Sequence, residues 1–365
     1  MGTISINQTA ERARNRAEQL FAQWPVFDQK YYLRTELGLD FDSLIEAYLA
    51  GEAPVYGQQK SSIDAFAEMQ ISDINLNTVS NSKGMDCFPF SAIDADTGEE
   101  KSITLYNLSA DGFSFKYARA IKCKFYSCTF KNCDFYGADF TASQFINCRF
   151  ENCIFNEAVF GRQNTYLNGK ATFLRTGFDS CEFVASFLRN CCSHTSVFFN
   201  CIMDGTVWDM PNNSLADSGG TAHFDLSLRD NSMRAMQIDF NLKEEGQLRE
   251  LTNCVFDGSR INNNMPLIPT DKKFFLWNAS NNRFYGTIIY DIIIAGNSRD
   301  NDFRGANILP IVEFSDTSLA DITGCNFRYA NFAATKESWE TLIASGDLRA
   351  DETTIWKDGS NFGEE

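Results

Sequence analysis

The sequence predicts a mainly β solenoid, a prism of short sides, preceded by an α+β N-terminal region and closed by a C-terminal helical cap. Three observations carry this reading. In CKFYSCTFKNCDFYGADF, Phe125, Phe130, Phe135 and Phe140 recur at every fifth place, each with a small residue two places before it. The beat then continues far beyond that stretch. On both flanks it gives way to helical spacing.

A helix returns apolar residues at three and four, and a strand at two, so neither yields a period of five. Five results when a short extended piece, with residues i−2 and i pointing inward, is followed by a two- or three-residue corner. The chain then coils around its own Phe and Cys side chains. Thirty-three Phe against seven Pro, and 44% hydrophobic residues, supply such a core.

Residues 1–112 form the N-terminal capping or binding region. Ala17, Leu20, Phe21 and Trp24 make one i, i+3, i+4, i+7 stripe; Phe41, Leu44, Ile45, Tyr48 and Leu49 make another that stops at Gly51. Two amphipathic helices are expected there. From about 60 to 112 the pattern is mixed, and the turn ADTGEE before SITLYNL suggests a few strands leading into the first coil.

Residues 113–334 carry the repeat. One phase runs through Phe115, Ala120, Phe125 and on in fives to Phe160. After an interruption at 161–170, a second phase takes Phe173, Phe178, Phe183, Leu188, Ser193, Phe198, Met203 and Trp208, with Ala171, Thr176, Cys181, Ser186, Cys191, Ser196, Cys201 and Thr206 as small partners. Fragments follow at Cys254 and Phe256, at Phe284, Ile289 and Ile294, at Phe303 and Ile308, and at Ile322, Phe327 and Phe332. Insertions are expected near 209–253 and 264–283, where the beat fails. Residues 335–365 form the C-terminal helical cap and tail, with Trp339, Leu342 and Ile343 on a short helix ending at Gly346. Helical caps suit a solenoid, whose ends expose core and unpaired edges.

The motifs CKFYS, CTFKN, CDFYG, ADFTA, SQFIN, CRFEN and CIFNE, with CNFRY and ANFAA later, resemble the pentapeptide-repeat family. That resemblance implies a right-handed quadrilateral β-helix with four repeats per coil. Residues twenty apart should then stack, and they match in kind: Cys128 with Cys148, Cys133 with Cys153, Ala138 with Ala158.

Ten of the twelve cysteines (Cys123, Cys128, Cys133, Cys148, Cys153, Cys181, Cys191, Cys201, Cys254 and Cys325) occupy the inward small place, where a reduced Cys acts as a small buried hydrophobe. Their spacing lacks the Cys pairs of zinc modules. Cys192 and His194 should point outward, and a thiol beside an imidazole could act as nucleophile and base. No third orienting residue accompanies them. The only other histidine is His223, and no phosphate-binding, hydrolase or metal-binding motif occurs. No catalytic residue, metal or cofactor is expected, and the chain reads as a non-enzyme.

Binding remains. The net charge of −16 disfavours direct contact with nucleic acid phosphates. A protein partner is expected instead, met by outward residues at the basic start of the prism: Lys116, Tyr117, Lys122, Lys124, Tyr126, Lys131 and Tyr136. An acidic pentapeptide prism also resembles the members that mimic duplex DNA and protect gyrase from quinolones, in which F-x-N-C-x-F is frequent; FKNCDF and FENCIF occur here. Those members are often dimeric, so a homodimer is among the assemblies implied. Yet the acid lies elsewhere, with net charge near −9 over 1–112, +2 over 113–210 and −9 over 211–365. The β-helix regions of injected bacterial effectors offer a further resemblance, implying an adaptor in host cells. No secretory leader or membrane span is evident, since the most apolar stretch, GTIIYDIIIAG, is interrupted by Asp291. A cytoplasmic bacterial protein is expected, delivered to a host cell if it is an effector.

Overall fold

The computed structural model describes residues 70–72, 90–93, 100–102, 104–161, 171–188, 191–210, 226–240, 248–262, 274–315 and 318–362. The two expected N-terminal helices lie outside them. The chain divides into two compact units, Met1–Cys192 and Ser193–Glu365.

In the first unit each coil has four sides and twenty residues. The first side stacks Thr104–Tyr106, Lys124–Tyr126 and Gln144–Ile146 in parallel; the second stacks Ser109–Asp111, Thr129–Lys131 and Arg149–Glu151. Single bridges build the other two, through Ser114, Asp134 and Ile154 and through Arg119, Asp139 and Val159. The mainly β, parallel architecture expected from the beat of five is therefore present. Beyond residues 162–170 the same sides resume, with Gln144 opposite Thr172 and Arg149 opposite Gly177. The extra residues lengthen one coil and leave the stack in step.

Every phenylalanine from Phe115 to Phe183 in the two expected phases is buried. Along each column the rings lie parallel: Phe115 on Phe135 at 5.2 Å, Phe135 on Phe155 at 5.0 Å and Phe155 on Phe183 at 4.8 Å. Between columns they meet edge to face, as Phe130 and Phe135 do at 79°. Both arrangements suit the ring quadrupole. At the start of the stack Phe90 lies 5.9 Å from both Phe115 and Phe125, and a short antiparallel pair, Ser91–Ile93 with Glu100–Ser102, follows it. This is the β part of the region expected to lead into the first coil.

The small inward place does more than save room. Cys148 Sγ donates to Phe125 O at 3.3 Å, Cys153 Sγ to Phe130 O at 3.4 Å and Thr176 Oγ1 to Phe145 O at 2.9 Å. A buried backbone carbonyl needs such a donor, which explains Cys, Ser and Thr at that place. The corners themselves require left-handed backbone. Asn107, Gly112, Tyr117, Lys122, Ser127 and Asn132 have φ between 50° and 75°. Asn tolerates that region better than most residues, which accounts for the Asn of FKNCDF and FENCIF.

In the second unit Ser196–Phe199, Leu226–Arg229 and Leu248–Thr252 stack on one side. Val207–Met210, Gln237–Phe240, Arg260–Ile261 and the start of Ile288–Ala295 stack on another. Phe256, Phe284, Phe303 and Phe327 form a column at 4.9 Å intervals. The expectation that 209–253 breaks the beat needs correction, because residues 226–240 are ordinary coil. Leu228, Met233 and Ile238 stand where Phe would, and Asn231 takes the small place. Its Oδ1 accepts from Cys201 N at 2.8 Å while its Nδ2 donates to Phe198 O at 2.9 Å. Likewise, 274–283 is coil rather than insertion: Phe274–Trp277 pairs with Ile292–Ala295, and Asn282 Oδ1 accepts from Cys254 N.

The helix Lys336–Ser345 forms where the sequence places it. Thr335 Oγ1 accepts from Ser338 N at 3.2 Å, and Gly346, at φ 83°, ends it. Trp339 is buried against Phe314, Phe327, Phe332 and Trp356. The chain after it is more than a tail. Leu348–Arg349 pairs with Ala320–Asp321, Ile355 bridges Asn326, and Thr354 and Trp356 repeat the small and aromatic places. Arg299 and Arg349 both reach the buried carboxylate of Asp321, tying this last coil down.

Candidate functional site

The seven residues expected at a partner surface lie at different places around the first unit. Lys124 and Tyr126 stand on the first side, on strand Lys124–Tyr126, and Lys131 ends Thr129–Lys131 on the second. Lys122 occupies the turn that leads into the first side. Lys116, Tyr117 and Tyr136 belong to turns between the third and fourth sides, across the prism. The structure thus places Lys122, Lys124, Tyr126 and Lys131 along two adjoining sides and gathers Lys116, Tyr117 and Tyr136 at a corner across the prism.

Tyr117 departs from the expectation of an exposed contact residue. It is 9% exposed, its ring perpendicular to that of Tyr136 at 5.5 Å. It also covers Gly137, where an added Cβ would lie 2.6 Å from two ring carbons. That tyrosine fills the groove of a corner. Tyr126 is half-buried and stacks on Tyr106 at 4.9 Å, forming an aromatic pair on the first side. Tyr106 was not singled out in the sequence, although it lies twenty residues before Tyr126 and the coil length predicts the pairing.

Charges on this unit are largely answered by opposite ones. Lys116 pairs with Asp134 at 3.2 Å; Glu151 is shared by Lys131 at 3.2 Å and Arg149 at 3.5 Å. Lys122 and Lys124 are exposed and make no ion pair among the described residues. Outward residues of the third side run Ser114, Asp134, Ile154 and Glu182. Acid and neutral groups alternate there, so no continuous carboxylate stripe forms on that side.

The described core keeps its thiols away from solvent: the burial of Cys148 is outweighed by its hydrogen bond with Cys128, and the hydrogen bond with Cys133 lowers Cys153, but neither is accessible. All ten described cysteines are buried thiols outside any disulfide. A hydrogen bond from Cys148, together with burial, pushes the Cys128 thiol up, and Cys153 does the same for Cys133. Burial pushes Cys254 and Cys325 up to about 12. Such thiols are poor nucleophiles and poor metal ligands. Among the described residues no group of three His, Cys, Asp or Glu could hold a metal ion, and no helix is long and apolar enough to cross a membrane. The backbone of Cys192 and His194 belongs to strand Cys191–His194; their side chains lie outside the described residues.

Residues 121–168 match the family model for pentapeptide repeats in nine copies. Wound into four-sided, twenty-residue coils, that segment is a run of pentapeptide repeats. Among solved structures it is similar to HetL, a pentapeptide-repeat protein involved in regulating heterocyst differentiation in the cyanobacterium Nostoc sp. The two are 10% identical over 79% of this chain and 100% of that one, with a TM-score of 0.28. It is also similar to full-length QnrB1, a plasmid-mediated fluoroquinolone resistance protein, at 14% identity over 68% of this chain and 93% of that one, with a TM-score of 0.22. No curated protein matches the chain significantly.

Proposed function

We propose that this is a non-enzymatic binding or scaffold protein that engages a protein partner through the outer face of its first-unit coils, around Lys124, Tyr126 and Lys131. The observation that carries the reading is the stacked pair Tyr106 and Tyr126, held rigid at 4.9 Å on a β side and flanked by the exposed Lys124. Rigid aromatic rings bordered by cations lose little entropy on docking and are typical anchors of protein interfaces. The interior supports the same reading, because it uses its cysteines in packing.

Affinity capture by the full chain, compared with the pair of variants Tyr126→Ala and Lys124→Glu, tests it. A specific partner held by the wild type and lost by both is expected. A partner retained equally by both removes the assignment of this face. Duplex mimicry is the weaker alternative. The ion pairing of Asp134 and Glu151 weighs against it, and gyrase supercoiling that is unchanged at saturating protein would dismiss its gyrase form.

A further inference from the structure

In the second unit, one corner stacks four turns directly upon each other. Gly286 N donates to Arg304 O at 3.2 Å, Gly305 N to Arg328 O at 3.1 Å and Tyr329 N to Lys357 O at 2.8 Å. Tyr285, Arg304, Arg328 and Lys357 therefore follow one another along the edge, about 4.8 Å apart as neighbouring strands are. Three successive cations on one edge of an acidic chain invite a comparison of what each one does.

Lys357 turns inward. Its Nζ donates to Phe332 O at 3.0 Å and Ala334 O at 2.8 Å and sits 4.4 Å above the Phe332 ring. Arg304 is closed by its own turn, with Nε donating to both oxygens of Asp302 at 2.9 Å and Nη2 to Oδ2 at 2.6 Å. Arg328 differs from both. Its guanidinium is exposed, makes no ion pair among the described residues, and lies 4.9 Å from the ring centroid of Tyr329. Asp358, in the next turn, accepts from Ser360 N at 2.8 Å. Tyr329 is 68% exposed and Tyr285 56%, the two most exposed large hydrophobic side chains among the described residues.

A guanidinium laid on an aromatic face keeps its five donors free and gives up little rotamer freedom when a planar anion arrives. Carboxylate is the anion whose geometry matches that fork, and Tyr and Arg together are the residue types that dominate protein interfaces. We propose that the corner at Arg328 and Tyr329 is a docking point for an acidic segment of a partner protein, with a Glu or Asp side chain received by Arg328 beside the Tyr329 ring and the exposed Tyr285, two turns along the same edge, extending the surface. Nucleic acid is the less fitting occupant, because a phosphate backbone needs a row of cations along it, whereas a single unpaired cation fits a single carboxylate. The inference rests on the binding role proposed above, and it assigns a surface separate from Lys124 and Tyr126.

The test uses the full chain and two probes of equal charge: a fluorescein-labelled twelve-residue peptide rich in Glu and Leu, and a single-stranded oligothymidylate. Saturable peptide binding by fluorescence anisotropy is expected. Arg328→Gln should weaken it about tenfold, and Arg328→Lys should recover only part of the loss, since a point charge lacks the fork. Arg234→Gln, which removes one cation from an earlier turn of the same corner, should change affinity less than about twofold. No saturable peptide binding, an equal loss in Arg234→Gln, or tighter binding of the oligothymidylate overturns the proposal. If the peptide fails while a partner is still captured through Lys124, this inference falls and the binding role stands. If the peptide binds but Lys124→Glu and Tyr126→Ala lose nothing, the converse holds.

Discussion

Phe135 touches Phe115, Phe130, Phe140, Phe150 and Phe155, with centroids 5.0 to 6.2 Å away. A truncation there leaves a cavity walled by rigid rings that cannot collapse, so Phe135→Ala should lose about 3–5 kcal/mol in chemical denaturation. Lys122 presents the opposite case. Its φ of 59° costs about 1 kcal/mol for a residue with an ordinary Cβ, and Asn suits that region better. Lys122→Asn is therefore expected to raise the denaturation midpoint, and a loss of stability would show that the lysine stem makes up the strain elsewhere. The buried thiols set an alkaline limit. Cys254 and Cys325 hold their protons up to about 12 in the native state, whereas an unfolded thiol releases its proton near 8.5. Each contributes stability that is complete below about pH 8.5 and is lost at ~1.4 kcal/mol per unit as pH climbs towards 12. A pH series of urea melts that stays flat from 8 to 11 would contradict this. The inward residues were legible from the sequence because side-chain size and period alone specify them. Tyr117 was not, since its orientation depends on the absence of a side chain at Gly137, one coil away.

The C-terminal elements depend on a few anchors. Trp339 gathers Phe332, Trp356 and Phe362 around it, so Trp339→Ala should cost about 3–5 kcal/mol and expose the end of the phenylalanine column to dye. Thr335→Ala removes only the N-cap and should cost about 1 kcal/mol. The last coil is tied by Asp321. Burial alone would raise its pKa, but the donors of Arg299 and Thr323 outweigh that and hold the carboxyl below its ordinary value. A depressed carboxyl stabilises the native state above its unfolded pKa, near 3.9, and loses that effect as pH falls through the lower native one. Loosening of 348–362 is thus expected below about pH 4 in hydrogen exchange, and Asp321→Asn should loosen it at neutral pH. The cap helix was evident from Trp339, Leu342, Ile343 and Gly346. The coil behind it was missed because its signature is a single repeat, Thr354-Ile355-Trp356, too short to establish a period.

At the scale of the whole chain, the distribution of sulfur provides a check on both units at once. Ten of twelve cysteines are buried, so no more than Cys87 and Cys192 should react with a thiol reagent under native conditions, and all twelve should react in guanidinium. A third fast-reacting thiol would mean that part of the stack opens readily. The coils of the first unit could be read closely, because Phe and Cys fill most of the inward places there. The second was read in fragments, because Leu, Met, Ile and Asn fill the same places and only their burial in the coil identifies them as repeats. The partner face was legible only in part. Periodicity states that a residue points outward, while the side of the prism it occupies depends on counting in twenties, which separates Lys131 from Tyr136. In the second unit, the stretches 211–225, 241–247 and 263–273 each follow a strand of one stack, Val207–Met210, Gln237–Phe240 or Arg260–Ile261. Pairing resumes with each strand's counterpart however many residues intervene, so the scaffold has its own splice points: a reporter peptide grafted after Met210 or Asn262 should leave the melting curve where it was.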